Sequence, residues 1–331
     1  MDLDAYKSVR KTPGGAALYR LSCDLLRIGG RDRASFLQGQ ISNDVLTLPS
    51  GSGMRACLLN NTGHLLADLV ILAFDDHLLI ETDPGRGDFV ANTLERYRIR
   101  EKVTIENVTT EWALVTLQSG TAIPGLQPGL GRASYTHADS AYDDAANCTV
   151  VRRDRVGAAD GIDLLLPCAR ADAIIQRILL RPGMHSTDAD TFDTLRIEAG
   201  RARWGAELSE SIIPLEAGMI DALSFTKGCY VGQEIIARVR SRGHTNRTLC
   251  LLRLTGPCAP GDVIAATEGE QPGKEIGWVT SAAVSPEYGP IALGYVRNEH
   301  SASGHLVWAG IHRGRVVGDE GLLRPPASSV A

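Results

Sequence analysis

The chain has 331 residues, 44% hydrophobic and 22% charged, with a formal net charge of −5 at pH 7. That length is more than one core usually fills, so two or three domains are expected, with the composition of a soluble globular protein. The acidic balance argues against a general nucleic-acid or membrane-surface binder, which would carry a basic excess to meet phosphates, and leaves room only for a local basic patch.

No apolar run approaches membrane-spanning length. Residues 1–7 have neither the apolar core of a secretory signal nor the basic character of an organellar presequence, so a cytoplasmic location is expected. The seven cysteines are scattered and include no C-x-x-C pair, which gives neither a disulfide framework nor a zinc ribbon.

In chain order, residues 17–28 read as one apolar strand ending at Gly29-Gly30. A helix with Asp32 as N-cap and Phe36 and Leu37 on its apolar stripe follows, closed by a turn at Asn43-Asp44. Residues 54–59 and 64–74 form a hairpin about Asn60-Asn61-Thr62-Gly63, and residues 77–82 add a third strand. Asp83-Pro84-Gly85 punctuates the chain before a helix over roughly residues 87–97. Strands over 103–108 and 112–117 follow. Strands and helices mix without strict alternation, so the fold class is α+β.

Residues 120–147 shift toward Gly, Pro, Ala, Ser and Asp and read as a solvent-facing insertion or a poorly ordered connection. Strands over 149–153 and 161–166 and a helix over 169–180 resume the fold. A second helix over 190–200 has Asp190 as its N-cap. Beyond Gly243 the chain turns to short strands separated by Pro- and Gly-containing turns, over 248–254, 277–284, 291–296, 306–308 and 316–317, a small all-β domain. The expected division is therefore 1–243 as an α+β core and 244–331 as a small all-β domain.

Two places stand out chemically. Lys227-Gly228-Cys229-Tyr230-Val231-Gly232-Gln233-Glu234 concentrates a thiol, a lysine and two glycines at an apparent loop-to-helix entry. Val231, Ile235 and Val239 after it have helical spacing. A helix N-terminus and Lys227 would favour the Cys229 thiolate, making it reactive; the alternative is a small buried core residue. Glu198 falls in the last turn of its helix, where the helix dipole disfavours a negative charge, so it is either exposed or held by a donor. No P-loop, zinc-protease, hydrolase-elbow or dinucleotide motif is present. The eight histidines show no ligand spacing, so no metal site is expected.

The run from Lys227 to Glu234 resembles the K-G-C-Y-x-G-Q-E signature of the YgfZ-type folate-binding proteins, which assist iron–sulfur enzyme maturation. Residues 36–44 (F-L-Q-G-Q-I-S-N-D), 195–200 (L-R-I-E-A-G), 214–218 (P-L-E-A-G) and 276–281 (I-G-W-V-T-S) resemble segments of the wider superfamily that includes the T-protein aminomethyltransferase of the glycine cleavage system.

The resemblance implies a two-subdomain folate-binding core capped by an antiparallel C-terminal barrel, with tetrahydrofolate or a one-carbon derivative as cofactor. Glu198, with Arg196 beside it, takes the role of the glutamate that meets the pterin's donors. Lys227, Gly228, Gly232, Gln233 and Glu234 line the folate site around the reactive Cys229. For Lys227 and the arginines at 238, 240 and 242 the choice lies between attracting the folate tail and forming a solvated helix face.

Asp68 falls where T-proteins carry a catalytic aspartate in G-G-x-x-D-D-L, but the first acid is Ala67 here, which weighs against aminomethyl transfer. The other reading of Asp68 is a strand residue on the solvent face. The expected function is a folate-dependent accessory factor for iron–sulfur assembly or repair, with folate and transient iron–sulfur clients as partners; the alternative is an aminomethyltransferase. One cysteine cannot hold a stable cluster alone, so any cluster contact would be shared or passing.

Overall fold

The computed structural model describes the chain except residues 13, 122, 124–129, 132, 143–144, 243–244, 319–321 and 323–331, and the side chains of residues 140–142, 145–147 and 242. A helix not foreseen from the sequence, α1 (Leu3–Arg10), opens the chain; Asp2 caps it by accepting from the backbone N–H groups of Asp4 and Ala5. The stretch expected as one strand divides at Ser22-Cys23 into β1 (Ala16–Leu21) and β2 (Asp24–Gly29), which join different sheets. Local apolar patterning cannot distinguish a long strand from two short ones that part company.

The first sheet adds β3 (Ser52–Leu59), β4 (Leu65–Ala73), β5 (Leu78–Thr82) and β6 (Thr104–Asn107) in the order β3-β4-β5-β2-β6, all antiparallel. Helices α2 (Arg33–Gln38) and α3 (Gly87–Glu95) belong to the same part of the chain. Asp32 precedes α2, but its carboxylate accepts from the Lys102 backbone N–H at 2.8 Å and does not cap the helix.

The pleat sorts this sheet's side chains into two cores. Ala67, Leu69 and Ile71 of β4 pack with Leu37, Val90 and Leu94 of the helices. Val70 and Leu72, on the other face, pack with Leu79 of β5 against the second sheet. Each fully buried Leu or Ile contributes about 1.5–3 kcal/mol, so a one-residue slip that exchanged the two faces would be very costly.

The second sheet is built from β1, β7 (Trp112–Ser119), β8 (His137–Tyr142), β9 (Ala145–Arg152), β10 (Asp160–Pro167) and β11 (Met184–Ser186) in the order β11-β1-β7-β10-β9-β8. Only the β1–β11 pair is parallel among the described residues. Helix α4 (Cys168–Leu179) covers one face through Ala171, Ile174 and Ile178. Part of the 120–147 segment expected as an insertion is thus sheet, in β8 and β9; residues 124–129 lie outside the described residues. Leu114, Val151 and Leu165 meet Leu25, Val70 and Leu79 between the two sheets.

Helix α5 (Ala189–Glu198) is capped two residues earlier than expected: Asp188, not Asp190, accepts the Thr191 backbone N–H at 2.7 Å. Helix α6 (Gln233–Arg242) leads to the barrel. That barrel closes through β12 (Arg247–Leu254), β13 (Val263–Glu268), β14 (Gln271–Ser285), β15 (Gly289–Arg297), β16 (Leu306–Ala309) and β17 (His312–Val317) in the order β12-β15-β14-β13-β16-β17. The α+β class and the closed antiparallel barrel agree with the sequence reading, which lacked β13. No helix among the described residues is long and apolar enough to cross a membrane.

Candidate functional site

A cavity of about 510 Å³ lies where the first sheet, the second sheet and α5 converge, a size that suits a small organic ligand. Strand parity decides which side chains reach it. Arg55 of β3, Asp68 of β4 and Glu81 of β5 share the inter-sheet side with Val70 and Leu79, and all three line the cavity. Asp83, the first residue past Thr82, continues the parity of Glu81 and joins them. Tyr19 and Leu21 enter from β1, and Phe192, Asp193 and Arg196 come from one face of α5. The Tyr19 and Phe192 rings stack at 4.5 Å.

The charges of the wall are mostly neutralised internally. Arg55 grips Asp68 with two bonds, Nε to Oδ1 at 2.9 Å and Nη2 to Oδ2 at 2.7 Å, the strong fork-to-carboxylate arrangement. Arg153 and Arg155 meet Glu81 at 2.5 and 2.9 Å, and Arg155 also holds Asp163. Burial works against the charge on Glu81, yet the two guanidinium groups keep it below the usual carboxylate range.

Asp83 differs. It has no arginine or lysine in ion-pair contact among the described residues. Burial, with Asp68 and Glu81 nearby, pushes its carboxyl up to about 7, against the smaller opposing pull of Arg55 and the Trp204 backbone N–H.

Of the residues singled out in the sequence, Asp68 and Arg196 reach the cavity. Arg196 is buried and fully engaged: it donates to Asp193 (2.8 Å), the Arg201 carbonyl (2.6 Å), Glu207 (3.0 Å) and Ser281 Oγ of β14 (2.9 Å).

Glu198 does not line the cavity. Two residues past Arg196, it points to another side of α5, where Tyr6 Oη donates to Oε1 at 2.8 Å and Arg10 Nε to Oε2 at 2.9 Å. The donors that keep a carboxylate in a last helical turn are thus internal, supplied by α1.

Lys227 is buried away from the cavity, with Nζ donating to the carbonyls of Ile41 (2.7 Å) and Asn43 (2.8 Å). Burial lowers its pKa to about 8, with Asp44 opposing weakly. It therefore clamps the F-L-Q-G-Q-I-S-N-D segment against the K-G-C-Y loop.

Cys229 is exposed, and α6 starts only at Gln233, so the thiol lies ahead of the helix end instead of on it. Gly228 has open space around it, whereas Gly232 adopts φ +82° and leaves no room: a Cβ there would stand 2.5 Å from the Asn60 carbonyl oxygen. The loop thus docks on the Asn60–Gly63 hairpin. Gln233 is half-buried, and exposed Glu234 pairs with Arg238 at 2.7 Å on a solvated helix face. None of residues 227–234 lines the cavity.

The barrel is tied to this core by the same sequence segments that stood out. Glu207 accepts from Arg196, Thr280 (2.9 Å) and Ser281 (2.6 Å), and Tyr295 Oη donates to its backbone carbonyl. Glu216 of P-L-E-A-G pairs with Arg247 of β12 at 2.9 Å.

Residues 15–227 match the GCVT N-terminal domain family, and residues 247–319 match the glycine cleavage T-protein C-terminal barrel domain. The chain belongs to the glycine cleavage T-protein family. Among its relatives are the mitochondrial aminomethyltransferase of Gallus gallus, 28% identical with 84% of this chain and 73% of that protein covered, and an aminomethyltransferase of Rubrobacter xylanophilus, 30% identical with 82% and 73% covered. The crystal structure of the glycine cleavage system aminomethyltransferase T from Bartonella henselae superposes with a TM-score of 0.83 at 22% identity, covering 97% of this chain and 90% of that one. The family fold is thus shared over almost the whole chain.

Residues that the sequence reading missed are Arg55, Asp83 and Glu207. Asp83-Pro84-Gly85 was legible only as turn punctuation. Its one further signal was its position two past Glu81 along a strand.

Proposed function

We propose that this chain binds a tetrahydrofolate in the cavity between the sheets and takes part in transfer of a one-carbon unit, as an aminomethyltransferase does. The observation that carries this reading is the make-up of the cavity wall. Tetrahydrofolate presents a pterin edge rich in N–H donors, an aromatic middle and an anionic tail. The wall offers carboxylates at Asp68 and Asp83, aromatic faces at Tyr19, Phe192 and Trp204, and cations at Arg201 and Arg203. The donor set therefore fits the ligand. When bound, the folate would supply the nitrogen atoms that accept the carbon; the residues here bind and orient it, and Asp68 is the carboxylate held rigidly beside it.

Strand parity removes the objection raised by Ala67. Residue 67 lies on the helix-facing side of β4, 1% exposed among Leu37, Leu69 and Ile71. An acid missing there takes nothing from the cavity.

A second reading, an accessory factor for iron–sulfur proteins, is favoured by a different observation: the K-G-C-Y-V-G-Q-E loop presents Cys229 to solvent, where a partner's thiol or metal could reach it.

The test combines binding and turnover. Full-length protein is titrated with tetrahydrofolate and then supplied with an aminomethyl-lipoyl carrier. Methylenetetrahydrofolate formed by the wild type and lost in Asp68→Asn supports transfer. Binding without product supports the accessory role, which then requires Cys229→Ala to lower cluster-enzyme activity in the host. Absence of binding rejects both.

A further inference from the structure

Four acids of the cavity wall, Asp68, Glu81, Asp154 and Asp193, each hold an arginine within 3.0 Å. Asp190 and Asp221 are exposed at the rim. Asp83 is the acid that is both set into the wall and without such a partner among the described residues.

Its surroundings are defined on every side. Asp68 on β4 and Glu81 on β5 bring negative charge, Arg55 on β3 is already spent on Asp68, and the loop after α5 presents the Trp204 backbone N–H. The turn that carries Asp83 is fixed: the Arg86 backbone N–H donates to its carbonyl at 3.1 Å, and the Arg86 guanidinium lies over the Trp204 ring, 4.5 Å from its centre. A carboxyl held in one place with accepting capacity unused is built to receive donors from something that enters the cavity.

We propose that Asp83 is the carboxylate on which this cavity receives two adjacent N–H donors, the amidine-like edge of a 2-amino-4-oxopteridine, and that receiving them drives a proton off the protein. The inference rests on the folate-binding reading and deepens it, since it moves the pterin-edge role from Glu198, whose oxygens are occupied by Tyr6 and Arg10, to a residue that reaches the cavity. Donors from the ligand favour the ionised carboxyl, whereas the neighbouring acids and burial favour the protonated one. Binding therefore pulls Asp83 from one form to the other. Among the described residues no histidine lines the cavity, and Asp83 is a wall group whose charge changes near neutrality.

The experiment is calorimetric titration of the full-length protein with tetrahydrofolate between about pH 5.5 and 8.5, in pairs of buffers with different ionisation enthalpies. The expected result is an affinity that is constant above the midpoint of about 7 and falls up to tenfold per pH unit below it, because only the ionised fraction is competent. About half a proton is released per ligand at that midpoint. Asp83→Asn, checked for its fold by circular dichroism, binds more weakly and with a flat profile, because an amide accepts on one atom only. Wild-type binding that is equally tight at pH 6 and pH 8, with no buffer dependence, overturns the inference while leaving folate binding intact. No binding at any pH overturns both. The wild-type profile decides the matter even where Asp83→Asn does not fold.

Discussion

Arg196 Nη2 donates to Ser281 Oγ across 2.9 Å, joining the helix that walls the cavity to a strand of the barrel 85 positions later in the chain. Glu207 completes the join by accepting from both. Replacing Glu207 with Ala leaves the buried Arg196 with Asp193 as its remaining acidic partner and takes the carboxylate acceptor from Ser281, a loss of charged hydrogen bonds that costs about 1–3 kcal/mol. Urea unfolding is expected to show a loss of that order, with a smaller one for Glu207→Gln.

The Arg55–Asp68 fork predicts opposite outcomes at neighbouring positions. Asp68→Asn removes one charge-assisted bond and is expected to cost about 1–3 kcal/mol in thermal unfolding while abolishing methylenetetrahydrofolate formation. Ala67→Asp, although it restores the D-D-L pattern of the aminomethyltransferases, puts an unpaired carboxylate into an apolar core. It should destabilise by several kcal/mol and raise no activity; a gain of activity would refute the parity argument.

Asp83 makes the fold pH-sensitive in a defined direction. Its folded value of about 7 lies above the ordinary carboxyl value of about 3.9, so between those limits the folded protein binds more protons than the unfolded chain and stability falls as pH rises. Asp83→Asn removes that loss. The variant and the wild type should melt together near pH 4, with the variant more stable by a few kcal/mol above about pH 7.

Lys227 carries the opposite sign. Its folded value of about 8 lies below the ordinary lysine value of about 10.4, so in that window the unfolded chain binds more protons and stability rises with pH. Lys227→Met should lose this rise. It also leaves the Ile41 and Asn43 carbonyls without their donor. Denaturant midpoints measured from about pH 7 to 10 in both proteins check the slope.

Within the signature loop, Cys229 and Gly232 separate function from structure. Cys229 is exposed, so Cys229→Ala should change stability by less than about 0.5 kcal/mol. Any loss of cluster-enzyme activity it causes in cells then belongs to the thiol. Gly232→Ala forces a Cβ onto the Asn60 carbonyl at a φ of +82° and should cost about 1–3 kcal/mol by thermal melting.

What the sequence determined by itself was local. The strand expected over residues 64–74 puts the adjacent Ala67 and Asp68 on opposite faces, helical spacing marked one face of α5, and the motif segments indicated the α+β core and the barrel. It could not say what each face would meet. Glu198 is held by Tyr6, 192 positions away, and Lys227 by Ile41, 186 away. Both side chains therefore look like free ligand-binding groups until the chain is folded.

Cys229 illustrates the same limit from the other direction. Whether its loop enters the helix at the thiol or four residues later depends on how Gly232 fits the Asn60–Gly63 hairpin, a contact between distant segments. Asp83 drew no attention in the sequence, because an aspartate before Pro-Gly is ordinary in a turn. Only the folded chain sets it beside Asp68 and Glu81 with Arg55 already committed, and a carboxyl's proton affinity is decided by those neighbours.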